Sequence, residues 1–335
     1  MSAPIPASFN IFLTTASTMV NEAYRNFQHD LWAPKVSTTH PVTSETLILG
    51  WMGIMPKMRG WYGPRVTHAP NAETYSVTPL PYENTYGLDR FKFDDDQYGV
   101  YYPMLVDFAE AAARWQNFET RDLLEATGLY GSTARQLSLD GVSHWNTAHP
   151  VDIYAPVKGT FVNDFTGGGV SIGGVTVGGR LGVVALTSMY EYMPTIKGQN
   201  NERLGLRPSH IMVPPNLRAE ADFLLKNQFM APPAWGGFGT AAFGSQVGAA
   251  DNQIKRFSLD YIVNEDLTSA TTWYLLDNTR AMKPFGWALR QAPITATRTS
   301  ENDPIVFDSH QFLWGMWARA CPTWSPPFLS ARSGP

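Results

Sequence analysis

Gly169-Val170-Ser171-Ile172-Gly173 reproduces the G-x-S-x-G spacing that presents a nucleophilic serine on a sharp turn between a strand and a helix. That turn needs a helix to begin at the serine, and the GVTVGG run that follows is a poor helix start, so Ser171 is expected to be structural. The same glycine-rich run lacks the Lys-Ser/Thr ending of a phosphate-binding loop and never completes G-x-G-x-x-G, so it indicates no nucleotide site. Asp94, Asp95 and Asp96 carry enough charge for a hard cation but lack the spaced oxygen ligands of an EF-hand loop; helix capping accounts for them. His144 and His149 stand five apart in a turn with Asp140 and Asp152 nearby, without the i,i+4 spacing by which a helix offers two imidazoles to zinc, and are expected to make structural hydrogen bonds. Glu301 and Asp303 share a polar turn where solvation suffices. Cys321 is the only cysteine, which rules out an intrachain disulfide and a cysteine-rich zinc site and fits a reducing compartment. The screen leaves no catalytic, cofactor-binding or metal-binding set, and the expectation is a protein that is not an enzyme.

The elements carrying these residues are organised around one long helix. After the acidic triplet, Pro103 suits a first turn, and Leu105, Phe108, Ala112, Trp115 and Phe118 recur at three- and four-residue steps. Asp107, Glu110 and Arg114 take the opposite side, with Glu110 and Arg114 spaced for an ion pair. With a start signalled from Asp94 and a stop at Gly128, the spine is expected to run about 25 residues, roughly 40 Å. Ahead of it, residues 46–93 are dense in aromatics, Gly and Pro, and alternate through Tyr75, Val77 and Leu80, then Tyr86, Leu88, Phe91 and Phe93. This predicts a long two-stranded excursion over about 62–92, with Pro79 and Pro81 tolerable at an edge, and such a ribbon cannot bury its own face. Further upstream an amphipathic helix over about Thr15–His29, with Met19, Val20, Ala23, Tyr24 and Phe27 on one face, reads either as an arm with a docking helix or as a first core helix.

Beyond the spine, residues 165–182 read as a glycine-rich hairpin or a flexible loop. Helices over about Gly182–Ile196 and Asn216–Lys226 bracket a strand at His210–Val213. Residues 231–251 are expected to form a long loop. Strands are expected at Phe257–Val263, Thr271–Leu276 and Phe285–Gln291, with Ile305–Ala318 either strand or helix, and the tail SPPFLSARSGP loosely held.

Composition supports a sizeable core: 335 residues, 44% of them hydrophobic. Charged residues make up 16%, below the usual quarter or so, while 11 Trp, 14 Tyr and 18 Phe are present, which points to surface destined for other chains. A net charge of −4 argues against a dedicated nucleic-acid reader, and the absence of both a basic leader and a run of about 18 apolar residues argues against a standard secretion signal and a membrane span.

Four colinear segments resemble the major head subunit of Mu-like phages and prophages, whose members look like Hong Kong 97-type capsid proteins. They are Gly50-Trp51-Met52-Gly53 with Pro56, Arg59, Trp61, Gly63 and Arg65; Asp95-Asp96-Gln97-Tyr98-Gly99; Asp140-Gly141 followed by Thr147-Ala148-His149-Pro150-Val151; and a long last set. That set comprises Leu206-Arg207-Pro208, Val213-Pro214-Pro215, Trp273-Tyr274-Leu275-Leu276-Asp277, Lys283-Pro284-Phe285, Val306-Phe307 and Gly315 to Arg319. Residues 165–182 and 231–251 look like glycine-rich insertions relative to the pattern.

The resemblance implies an α+β capsid fold. Its parts would be an N-terminal arm (1–45), a peripheral domain beginning at 46–61, an extended loop (62–92), the spine-bearing peripheral segment (93–140), an axial domain (141–280) and a C-terminal peripheral part (281–335). Trp61, Tyr62, Arg65, Tyr75, Val77, Tyr82 and Tyr86 would then touch a neighbouring subunit, and Leu105, Phe108, Ala112 and Trp115 would form the core face of the spine. It further implies hexamers and pentamers of one chain in an icosahedral shell, assembled in the bacterial cytoplasm and enclosing double-stranded DNA held by non-specific contacts. Its implied partners are a portal, a decoration protein, and a scaffolding protein and protease, the last two expected as separate proteins because only about 45 residues precede the first matching motif. Two other readings remain open on the residues alone: a head decoration or tail component, and a hydrolase using Ser171.

Overall fold

The chain between Asp89 and Glu125 forms two helices. In the computed structural model the Asp89 carboxylate accepts from the backbone N–H of Phe91 at 2.9 Å and so caps a short helix, Arg90–Asp94. Gly99 then takes a left-handed φ of 67° and the spine runs Tyr101–Glu125, 25 residues, from an N-cap at Val100. Asp94 therefore ends the short helix and Asp95 follows it, so neither opens the spine, contrary to the sequence expectation; Asp96 lies outside the described residues. The spine stops at Ala126, whose φ of 56° is left-handed, two residues before Gly128. Glu110 and Arg114 approach to 3.8 Å on its wet side.

The residues described are 18–27, 31–52, 58, 60–61, 63–65, 72–95, 99–130, 133–152, 158–199, 201–230, 250–300 and 303–335. Along them lie a helix at 18–27 and strands β1 (Ser37–Pro41), β2 (Leu47–Met52), β3 (Ala72–Val77) and β4 (Leu80–Asp89). After the spine come β5 (Asp164–Phe165), β6 (Val170–Ile172), β7 (Val175–Val177), helix Val183–Tyr192, β8 (His210–Val213) and helix Arg218–Lys226. The chain ends through β9 (Asp260–Val263), β10 (Trp273–Leu276), β11 (Phe285–Arg298), helix Pro304–Ser309, β12 (Gln311–Trp324) and β13 (Ser330–Ser333). Ile305–Ala318 thus divides between helix and strand, because Asp303 accepts from Ile305 N–H at 3.0 Å and caps the helix. All but the last two residues of 231–251 lie outside the described residues.

These elements build two larger sheets and the two-stranded pairs β2–β3 and β6–β7. The four-stranded sheet, called peripheral after the part of the fold that the resemblance leads one to expect, has the order β1-β11-β12-β4, with β1 parallel to β11 and the other pairs antiparallel. On one of its faces lies the N-terminal half of the spine. Leu105, Phe108 and Ala109 are buried there with Val20 of the first helix, Leu88, Val306, Phe312, Trp314 and Met316, a set made mostly of large apolar side chains that gain about 1.5–3 kcal/mol each from full burial.

The five-stranded sheet, called axial on the same expectation, has the order β9-β8-β10-β13-β5. It buries Ile211, Val213, Trp273, Leu275 and Ala331 together with Leu186 and Met189 of helix Val183–Tyr192. Its fourth strand, β13, overturns the expectation of a loosely held tail: it pairs antiparallel with β10 and parallel with β5, and Ser330, Ala331 and Ser333 are buried. The small residues of β13 fit because Gly178, at φ 83°, lacks the Cβ that would come within 2.8 Å of Ser333 Oγ. The C-terminal segment 281–335 is consequently divided between the sheets, with β11 and β12 in the peripheral one and β13 in the axial one. Among the described residues no helix is long and apolar enough to cross a membrane.

Candidate assembly surfaces

A two-stranded ribbon leaves the peripheral unit. β2 and β3 pair antiparallel from Leu47↔Val77 at the base to Met52↔Ala72, and the Thr46 and Thr78 hydroxyls meet at 3.3 Å beneath it. Its partner strands are therefore 47–52 and 72–77, not two strands within 62–92. β4, which holds Tyr82 and Tyr86, pairs with β12 along ten residues, from Leu80↔Ala320 to Asp89↔Gln311. Period-two alternation looks the same in a free ribbon and in a sheet edge, and the strand that claims β4 lies more than 220 residues downstream, beyond the reach of any local signal.

The side chains expected to touch a neighbour distribute accordingly. Trp61 is 73% exposed, donates its indole N–H to Gly63 O at 2.9 Å and lies 5.2 Å beneath the Arg65 guanidinium, which is also exposed. Met58 is fully exposed and Ile48 two-thirds exposed. Tyr62 lies outside the described residues. Val77 and the half-buried Tyr75 are rooted at the ribbon base against the cluster of Cys321 and Trp324, where burial pushes the Tyr75 phenol up to about 12. Tyr82 donates to Glu119 Oε2 at 2.7 Å, meets the Tyr130 hydroxyl at 2.7 Å and sits 5.0 Å from the Trp115 ring. Tyr86 lies 6.1 Å from Phe108 with its hydroxyl on Met104 Sδ. Tyr75, Val77, Tyr82 and Tyr86 therefore all make contacts inside their own subunit.

On the spine, Leu105 and Phe108 are buried, while Ala112 and Trp115 are half-buried beside the sheet. Trp115 stacks edge-on with Trp287 at 5.0 Å. Phe118, expected on the same stripe, is 37% exposed.

The spine also grips the axial unit through residues the sequence did not flag. Glu125 accepts from Thr268 N–H at 2.9 Å, Thr268 Oγ1 at 2.7 Å and Ser269 N–H at 3.1 Å. Trp32 donates its indole N–H to Asp266 Oδ2 at 2.9 Å, and Arg121 donates to the Asp266 carbonyl at 3.3 Å. One signal was present: a carboxylate in the last turn of a helix opposes the helix dipole, so Glu125 needs compensating donors from elsewhere.

The residues that could do chemistry are structural. Ser171 is exposed in the β6–β7 hairpin opposite Thr176, the turn is made by Gly173 and Gly174 at φ 59° and 85°, and no helix follows. His149 lies with Nδ1 at 2.5 Å from Asp140 Oδ2 and Nε2 at 2.9 Å from the His144 carbonyl. His144 is fully buried, stacked at 3.8 Å on Trp324 and bonded through Nε2 to Ser330 Oγ at 2.9 Å; burial holds its pKa well below the ordinary histidine range, with His149 and Arg332 adding to the effect. These histidines pin the 140–149 turn to the C-terminal segment. Asp152 pairs with Lys158 at 2.6 Å, and Glu301 lies outside the described residues. Among the described residues no three His, Cys, Asp or Glu side chains gather as a metal site.

The family model of the Mu-like prophage major head subunit gpT matches residues 10–171 and 244–325. The FluMu prophage major head subunit of Haemophilus influenzae is 25% identical over 289 residues, covering 70% of this chain and 90% of the relative. The major capsid protein of Escherichia phage Mu is 24% identical over 245 residues, covering 54% and 78%. Among solved structures, the procapsid of bacteriophage JBD30 superposes with a TM-score of 0.50 at 21% identity, covering 98% of this chain and 76% of that one. The capsid of the cyanophage P-SCSP1u gives 0.51 at 9% identity, covering 89% and 86%. At such identities the structural likeness speaks for the fold.

Proposed function

We propose, from the premise that this chain belongs to the family of Mu-like prophage major head subunits, that it closes a head shell by laying its ribbon on the next copy. The protein is a major capsid protein with the α+β fold of Hong Kong 97-type capsids, and its place is the virion shell. The β2–β3 ribbon carries this reading. It holds exposed Ile48, Met58 and Trp61, and two strands cannot cover their own apolar side chains. A neighbouring subunit supplies the missing cover, and many such contacts, each weak, become strong together once the shell closes.

Within that reading the peripheral and axial sheets are the two lateral bodies of the subunit, joined by the Glu125 and Asp266 contacts, and the same chain forms both hexamers and pentamers. Trp61, Tyr62 and Arg65 are the inter-subunit contacts of the ribbon tip; Leu105, Phe108, Ala112 and Trp115 stiffen the spine from within. The protein acts without catalysis. It assembles in the bacterial cytoplasm with a separate scaffolding protein, protease and portal, takes a decoration protein on the finished shell, and holds double-stranded DNA by non-specific contact of scattered Lys and Arg with phosphate.

The test replaces residues 53–71 by a short Gly-Ser turn, which removes the ribbon tip and leaves β4 in its sheet. Co-expressed with the other head proteins, the shortened chain is expected to fold with near-native circular dichroism and to form no closed shells by negative-stain microscopy. Normal shells from it would refute the role of the ribbon.

A further inference from the structure

The spine and the peripheral sheet enclose a cleft of about 260 Å³. Its walls are apolar and aromatic, including Tyr82, Ala112, Trp115, Phe118, Met316 and Trp317, while Glu83 and Glu119 supply carboxylates. Glu119 is half-buried and held by the Tyr82 phenol at 2.7 Å, yet no Lys or Arg among the described residues lies within ion-pair distance of it. The cations nearest along the helix are engaged elsewhere: Arg114 faces Glu110 and Asp266, and Arg121 pairs with Asp122 at 2.7 Å. Burial raises the pKa of Glu119, and the Tyr82 and Tyr130 hydroxyls and the more distant charge of Arg121 offset this only in part, so a cation bonded directly to the carboxylate would stabilise it. Aromatic walls around such a carboxylate suit one kind of guest: the methylene stem of Lys or Arg lies against the rings, and its charged head meets the acid.

We infer that this cleft receives a cationic side chain from the ribbon tip of a second copy of the chain. The inference rests on the reading above, that the ribbon reaches a neighbour. Charge complementarity selects the guest. Residues 53–71 contain Lys57, Arg59 and Arg65 and no Asp or Glu, in a chain whose net charge is −4. Copies of like net charge repel at a distance, so their contacts need local regions of opposite sign, and a basic tip meeting an acidic cleft provides one. Each ribbon strand spans six residues, roughly 20 Å, before residues 53–71 begin.

The test pairs Glu119→Cys with Lys57→Cys, Arg59→Cys or Arg65→Cys in a Cys321→Ala background of the full chain, assembled with the other head proteins and mildly oxidised; Cys321 is removed because it lies in the same cluster as Glu119, linked to it through the Tyr130 and Tyr82 hydroxyls. At least one pair is expected to give disulfide-linked multimers ladder-wise on non-reducing gels, only in assembled shells. In parallel, Glu119→Gln, which keeps an acceptor for Tyr82, should lower shell yield several-fold at unchanged circular dichroism, and Glu119→Lys should abolish shells. A disulfide closed within one chain would overturn the inference, as would shells in which none of the three pairs links. So would a Glu119→Lys variant that assembles normally. If the 53–71 replacement blocks shells while no pair links, the ribbon reading stands and the cleft is not its receptor; if that replacement leaves shells normal, the ribbon reading itself has failed.

Discussion

Leu329→Ala puts the buried C-terminal strand to a quantitative test. Leu329 is 1% exposed and packs in the axial core with residues such as Trp273 and Leu275, immediately before β13 enters the sheet between β10 and β5. Truncation to Ala removes three carbons. At about 0.8 kcal/mol each the transfer loss is roughly 2.4 kcal/mol, and the residual cavity brings the expected cost to about 3–4 kcal/mol, within the 2–5 kcal/mol range of buried Leu→Ala changes. Against a total stability on the order of 5–15 kcal/mol this is a large fraction, so the axial unit should unfold at clearly lower urea with little change in slope. The assay is urea denaturation of unassembled subunits followed by tryptophan fluorescence, with Trp273, in the same cluster, among the reporters. A change below about 0.5 kcal/mol, the size seen for surface substitutions, would mean that the tail is loosely held after all and that β13 is not a working part of the sheet.

Three further outcomes follow from the same contacts. Trp115→Ala should cost about 3 kcal/mol, the low end for a Trp truncation because the ring is only half-buried between Tyr82 and Trp287, and urea unfolding reads it. Since the folded-state pKa of His144 lies well below 6.5, the unfolded chain binds a proton there that the folded chain does not. Stability should therefore be complete above about pH 6.5 and fall by about 1.4 kcal/mol per unit as pH drops below it, and the difference between wild type and His144→Gln across pH 7 to 5 isolates that slope. Ser171→Ala should leave particle yield and shape unchanged, and a hydrolase turnover lost in that variant would overturn the structural reading of the hairpin.

What the sequence disclosed and what it hid follow from the range of the interactions. The spine was legible because Leu105, Phe108, Ala112 and Trp115 repeat with helical period; its start was misplaced because the acidic run from Asp94 resembles an N-terminal signal, whereas Asp94 ends a separate helix capped by Asp89. The strands at His210–Val213 and Trp273–Leu276 stood out as apolar runs, being fully or largely buried. The ribbon was legible as a two-stranded excursion but shifted, because the partner of β4 comes from the far end of the chain. β13 was invisible, since Ser-Ala-Arg-Ser has neither β-branched residues nor apolar alternation, and its small side chains make sense only beside Gly178 and Gly179. Glu125 and Asp266 were missed because their partners are brought together only by the joining of two sheets.

Cryo-electron microscopy of shells made by co-expressing this chain with its head-assembly partners tests the central claim most directly. The account predicts a closed icosahedral shell of pentamers and hexamers in which the β2–β3 ribbon of each subunit crosses onto an adjacent copy. A shell in which every ribbon folds back on its own subunit, or a chain that stays monomeric with the same partners present, would contradict it.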